Sequence, residues 1–204
     1  MRNFERIAGK VLLGTATLMF ALSAQQPTCN HCSATYVSKS EMDAYTKRAV
    51  DNNLGDQQMR SVDLGKTQLG LGIEYRRKLD SPAKNAVAEH DLVSEVYYII
   101  EGSADFETGP DIVGENRRPA TMQTVREFNG PGNSGTSIKN GVTHHLQAGD
   151  AIIVPAGVGH LFTHIDDHVR YMLVRIDPDK AVPLKNDEQS KAYLASPVRP
   201  NSGK

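Results

Sequence analysis

The sequence predicts an all-β protein, a single antiparallel β-barrel with one helix before it. Three observations support this. From about residue 58 the chain breaks into short β-prone runs bounded by Gly, Pro, Asn and Asp. No repeated helices lie between those runs, so a sandwich or barrel is expected in place of a parallel sheet with crossover helices. No internal repeat is visible, which gives one barrel and not two.

Each element has its own signal. Ser40-Glu41-Met42-Asp43 resembles a helix start, with Ser40 as cap and an acid three residues on. Met42, Tyr45 and Val50 form a modest apolar stripe, so a helix is expected over 41–52, ended by Asn52-Asn53-Leu54-Gly55-Asp56. Met59 to Leu64 alternates, Gln68 to Arg76 reads as a strand with small residues on one face, and Ala86 to His90 reads as another. Glu95 to Ile100 is strongly β-prone and is closed by Glu101-Gly102-Ser103, after which Ser103 to Thr108 is expected to pair back as a hairpin. Residues 109–137 are rich in Gly, Pro, Asn and Arg and form the longest irregular stretch, a candidate lid. Val142–Leu146, Ala151–Val154, His160–His164 and Arg170–Ile176 complete the strands, and a short helix is expected near Asp187–Leu194. The expected division is a signal peptide at 1–24, a polar segment and helix at 25–57, the barrel at 58–177 and a tail at 178–204.

Composition narrows the function classes. The chain has 204 residues, enough for one domain with a proper core. Its formal charge is −1 and its basic residues are scattered, which argues against a nucleic-acid surface. Trp is absent and aromatic residues make up 6%, which argues against a stacking platform for single strands.

The first two dozen residues have the layout of a secretory signal peptide. Arg2, Arg6 and Lys10 give a basic start, Val11 to Ser23 is a short apolar run, and Ala21-Leu22-Ser23-Ala24 offers small residues for cleavage. The run is short for a bilayer span, and an uncleaved anchor is the alternative. Gln26-Pro27-Thr28 before Cys29 lacks the lipoprotein pattern. A periplasmic or secreted protein is expected, with no stable membrane insertion after cleavage. Cys29 and Cys32 then suit a local disulfide, with a redox or metal role as the alternative. A haem-attachment pattern is excluded because Ser33 follows Cys32.

Two patterns put metal-ligating residues on otherwise apolar strands. The first runs from His90 through Glu95 to Gly102, and the second from Gly149 through Pro155 and Gly157 to His160. A buried imidazole or carboxylate needs a partner, and a metal ion is one such partner. These residues resemble the two motifs of a small single-domain cupin of the exported bacterial type. In the first motif the second His, the Glu and the Gly match at His90, Glu95 and Gly102. In the second, Gly149, Pro155, Gly157 and His160 fit throughout. Ala88 stands where the first His of the pair belongs. The resemblance covers roughly residues 58–177. It implies a jelly-roll barrel with His90, Glu95 and His160 around a divalent metal ion, iron, manganese, nickel or zinc. Their donor atoms are expected roughly 3–4 Å apart, with the metal about 2.0–2.2 Å from each.

Alternation sorts the neighbours. Glu95, Tyr97 and Ile99 share a face, so Tyr97 is a candidate catalytic proton donor or substrate contact, or else a core Tyr with a satisfied hydroxyl. His164 shares a face with His160 but lies roughly 13 Å along the strand, which makes it a rim residue. Of His144 and His145 only one can face inward, as a ligand or acid–base candidate, and exposure of both is the plainer reading. His31 and His168 have no supporting pattern. Arg170 and Arg175 suit a carboxylate substrate, or more plainly surface salt bridges. Two functions remain open, a metalloenzyme of dioxygenase, lyase or isomerase type and a non-catalytic small-ligand-binding module. A homodimer is expected through the sheet edge at 58–76, since an uncovered edge is a liability.

Overall fold

The computed structural model describes Thr28 and residues 33–198. The segment read as a signal peptide, and Cys29 and Cys32, lie outside the described residues. Helix α1 spans Lys39–Asn52. Its cap is Ser38 and not Ser40, because Ser38 Oγ accepts the Glu41 amide at 3.1 Å while Ser40 already lies in the first turn. Asn53 ends the helix in the left-handed region at φ 51°. The strands follow as β1 (Gln57–Asp63), β2 (Gln68–Leu79), β3 (Val87–His90), β4 (Ser94–Gly109), β5 (Asp111–Val113), β6 (Asn116–Arg117), β7 (Gly132–Gly135), β8 (Ser137–Lys139), β9 (Val142–Gln147), β10 (Ala151–Val154) and β11 (Gly159–Asp177). A single π-helical turn, Val125–Asn129, precedes β7, and α2 (Asp187–Ala195) follows the barrel.

All pairing is antiparallel. β1, β2, β11, β3, β7 and β6 follow one another, while β4 pairs with β11, β10 and β9. The fold is an antiparallel barrel with an N-terminal helix, as the strand pattern predicts, and it has the jelly-roll form that the resemblance implies. Its frame is the long β4–β11 ladder. The second half of β11 pairs with β2 and the first half of β4, and its first half pairs with the second half of β4.

This ladder corrects the hairpin expected at Ser103. Residues 103–108 continue β4 and pair with β9 and β11. At Gly102 the register slips and the buried set passes from Glu95, Tyr97 and Ile99 to Ala104 and Phe106. A bulge of this kind flips the inward face without ending the strand. β11 does the same between His164 and Val169, so segments 160–164 and 170–176 are one strand. Residues 109–137, expected to be irregular, hold β5, β6, the π turn and β7. The β5–β8 ribbon caps the outer face of the barrel, where Ile112 packs on Val87, Ile138 and Leu161.

The core lies between the two halves of the ladder. Tyr97, Phe106, Phe162 and Tyr171 pack with ring centroids 4.7 to 6.4 Å apart. Outside the barrel, Tyr45 of α1 packs on Met59 and Ile73 and stacks on Tyr193 of α2 at 5.4 Å. Arg60 joins the two helices by pairing with Glu41 and Asp187. Among the described residues no helix is long and apolar enough to cross a membrane.

Gly102 has φ 77°, and a Cβ there would run into the His168 carbonyl. Gly149 has φ 97° with nothing within 4 Å of a Cβ. Both Gly→Ala variants are expected to lose about 1–3 kcal/mol to the positive φ. Gly102→Ala should lose clearly more, because the bulge that turns β4 must shift. Urea unfolding of the two variants side by side measures the difference.

Candidate metal centre

Three strands deliver the centre. β3 ends at His90, β4 begins next to Glu95, and β11 begins next to His160. The two sequence motifs are stitched together, since the Gly157 amide donates to the His90 carbonyl at 2.8 Å and the Ala156 amide to Ser94 Oγ at 3.0 Å. Gly157, at φ 82°, lets the Pro155-Ala156-Gly157 turn reverse sharply before His160.

The structure brings His90, Glu95 and His160 together, all buried, with one donor atom of each within 4.8 Å of the others. Glu95 Oε2 stands 3.4 Å from His90 Nε2 and 3.5 Å from His160 Nε2. These contacts lie within the expected range, and the set as a whole is somewhat more open. Ala88 pairs in register with His160 and lines the same cavity, of about 390 Å³. Phe106, Leu161 and Phe162 give that cavity an apolar wall.

Glu95 is held at both oxygens. Tyr97 Oη donates to Oε2 at 2.8 Å, and Arg175 Nε donates to Oε1 at 2.9 Å. Arg175 also donates through Nη1 to Gln58 Oε1 at 2.6 Å and through Nη2 to Asp56. Burial pushes the Glu95 carboxyl up, but the hydrogen bond from His90 and the charge of Arg175 outweigh it and hold the group well below the usual carboxylate range. Burial, reinforced by Glu95, raises the Tyr97 phenol well above its ordinary value, so Tyr97 keeps its proton. Burial also raises Asp56, against the pull of Arg175.

The two imidazoles are wired differently. His160 Nδ1 lies 3.0 Å from the Val158 carbonyl and must donate to it, which turns the lone pair of Nε2 inward. His90 Nδ1 lies 2.8 Å from Nη2 of Arg118. Arg118 stands just after β6 and also donates to the Glu89 carbonyl. In element type and spacing, two imidazole nitrogens and one carboxylate oxygen fit a divalent transition ion with positions left open.

The remaining candidates do not reach the cavity. His164 bonds Asp166 on the surface, exposed His145 bonds Asp105, and His144 is exposed beside it. His168 stacks on Tyr75 at 5.4 Å. Arg170 pairs with Asp43 of α1. Arg175 corrects the surface salt-bridge reading, since it is 1% exposed and lies on the inner face with Tyr171 and Leu173. Strand alternation carries that signal. Arg118 has none in the sequence, because it lies outside any strand and the one before it has only two residues.

Burial lowers the His160 imidazole to about 4, and unfolding returns it to about 6.5. The unfolded chain therefore takes up this proton first as pH falls. The stability that neutral His160 contributes above pH 6.5 is lost on the way down to about 4. Between pH 7 and pH 5, the stability gap between wild type and His160→Gln should shift by about 2 kcal/mol in the variant's favour. Urea unfolding at both pH values checks this.

No protein-family model matches the chain, and no curated protein matches it significantly. Solved structures do resemble it. A protein from Bacillus halodurans has 13% identity and a TM-score of 0.41, with 82% of this chain and 98% of that one covered. A double-stranded β-helix domain protein from Klebsiella pneumoniae subsp. pneumoniae has 15% identity and a TM-score of 0.39, with 76% and 100% covered. A DMSP lyase from Ruegeria pomeroyi has 16% identity and a TM-score of 0.37, with 68% and 55% covered. The antiparallel strand order, with both motifs meeting where β3, β4 and β11 converge, is that of a jelly-roll barrel, the fold that the motif resemblance implies.

Proposed function

We propose that this chain is an exported metal-binding cupin that acts on a small organic molecule as a dioxygenase, lyase or isomerase. The observation that supports it is the buried group of His90, Glu95 and His160 at the wall of the cavity. A divalent ion held by these three, iron, manganese, nickel or zinc, supplies Lewis acidity and open positions for ligand oxygens. The chain supplies the rest. Glu95 is kept ionised and fixed by Arg175. Tyr97 holds a proton at Oη, 2.8 Å from Glu95, and is the candidate donor to a bound ligand. The apolar wall excludes water, and Ala88 leaves space that a larger side chain would fill.

One observation favours a second reading, a non-catalytic ligand-binding module. Arg118 occupies the outer nitrogen of His90 where a metal ligand usually donates to an acceptor. Metal analysis of protein purified from its native compartment separates the two. Bound iron or manganese supports the enzyme, and metal-free protein that still binds ligand supports the module. Export and pairing of two copies along β1 belong to the same proposal. Lys185 already bonds the outer edge of β1 at Ser61, and residues 57–61 are buried within the monomer, which leaves the Val62 and Asp63 end of that edge for a partner. Light scattering at micromolar concentration tests the dimer.

Glu95→Ala and His160→Ala are each expected to abolish metal binding, because two ligands hold a divalent ion poorly. His164→Ala should leave the bound metal unchanged, since its side chain faces Asp166 on the surface. Metal content of the three purified variants decides it.

A further inference from the structure

We infer that Arg118 is a positioning residue for His90: it holds the ring in the tautomer that closes the centre, and a small carboxylate ligand that engages Arg118 opens it. The inference rests on the metal-centre reading proposed above.

A guanidinium donates hydrogen bonds and cannot accept them. With Arg118 Nη2 at 2.8 Å, His90 Nδ1 must be the acceptor, and the neutral ring carries its hydrogen on Nε2. Nε2 is the nitrogen that faces Glu95 Oε2 at 3.4 Å. Ligation needs a lone pair at that atom. For Nε2 to offer one, the hydrogen has to move to Nδ1, where it meets the N–H of Arg118. The Arg118–His90 contact and ligation through His90 therefore exclude each other. His160 has no such conflict, because its Nδ1 faces a carbonyl.

Arg118 is built into this position but only partly used. Its amide donates to the Gly132 carbonyl at 3.0 Å. Gly132 is needed for the approach, since a Cβ there would run into Nη2 and into the Glu89 carbonyl. Yet Nε of Arg118 is buried without a partner, and the side chain lines the cavity that holds His90, Glu95 and His160. A buried N–H without an acceptor is uncommon and destabilising. The group that satisfies it best is a carboxylate, whose two oxygens match the guanidinium fork. A carboxylate on that fork competes with His90 Nδ1 and frees the ring to turn its lone pair inward. Anion and cation binding are then coupled with positive sign, and the coupling is reciprocal.

The test uses Zn²⁺ affinity by chelator competition, with and without acetate, for wild type, Arg118→Met and Arg118→Gln. It is joined by ¹⁵N NMR of the imidazoles in the metal-free proteins. Wild-type His90 is expected to carry its hydrogen on Nε2, where Glu95 Oε2 also favours it, and both variants should raise the fraction that carries it on Nδ1. The variants should bind Zn²⁺ about tenfold more tightly than wild type without acetate. Acetate should tighten Zn²⁺ binding in wild type and leave the variants unchanged. The same His90 tautomer in all three proteins overturns the inference. So does an acetate effect of equal size in all three, which would mark direct ligation by acetate. Equal Zn²⁺ affinity in all three refutes the role of Arg118 alone, whereas no Zn²⁺ binding in any of them refutes the metal centre itself. Two variants of different polarity, each with its own NMR spectrum, separate misfolding from a tautomer shift.

Discussion

Glu95 sits in the centre of the barrel with both oxygens occupied, and a charge so placed has to be met from several strands at once. Arg175 answers it from the neighbouring strand, in direct register on β11. Arg175 brings its own demands, met by Gln58 on β1 and by Asp56 just before it. Those long polar side chains need room. Gly70 and Gly72 on β2 provide it, because a Cβ at either would press on Gln58 or Arg175. The small residues on one face of β2 thus trace back to one carboxylate two strands away. Removing Arg175 would leave Glu95 and Asp56 as buried charges without their common partner.

The strand pattern was legible in the sequence almost wherever alternation held. It failed at two places, and both failures have the same cause. At Gly102 and again between His164 and Val169 a bulge moves the buried set by one position. A reader who follows parity sees a strand end there, whereas the backbone continues. The helix start failed for a local reason, since Ser38 and Ser40 are both competent caps and lie 2.8 Å apart at their hydroxyls. Residues 109–137 looked irregular because their strands are two to four residues long and carry too few side chains to show a period.

The convergence of His90, Glu95 and His160 was legible because each sits at a strand end beside a turn with distinctive Gly or Pro spacing. Arg175 was legible in principle. Alternation groups it with Tyr171 and Leu173, although Arg is ordinarily exposed and composition argues the other way. Arg118 was not legible at all. Its position depends on β6 pairing with β7 and on the absence of a side chain at Gly132, and both are tertiary facts.

The β4–β11 ladder also bears on the order of folding. Glu95 and Arg175 are separated by 80 residues of chain, and the Gly157–His90 bond spans most of the same interval. Loops of that length close late, after nearer contacts have formed. The three candidate ligands lie within residues 90–160, but the guanidinium that meets Glu95 comes from Arg175, near the end of the last strand, so the centre with its counter-charge needs almost the whole barrel. The cavity is therefore among the last features to mature, and whatever binds there meets a finished scaffold and takes no part in nucleating it.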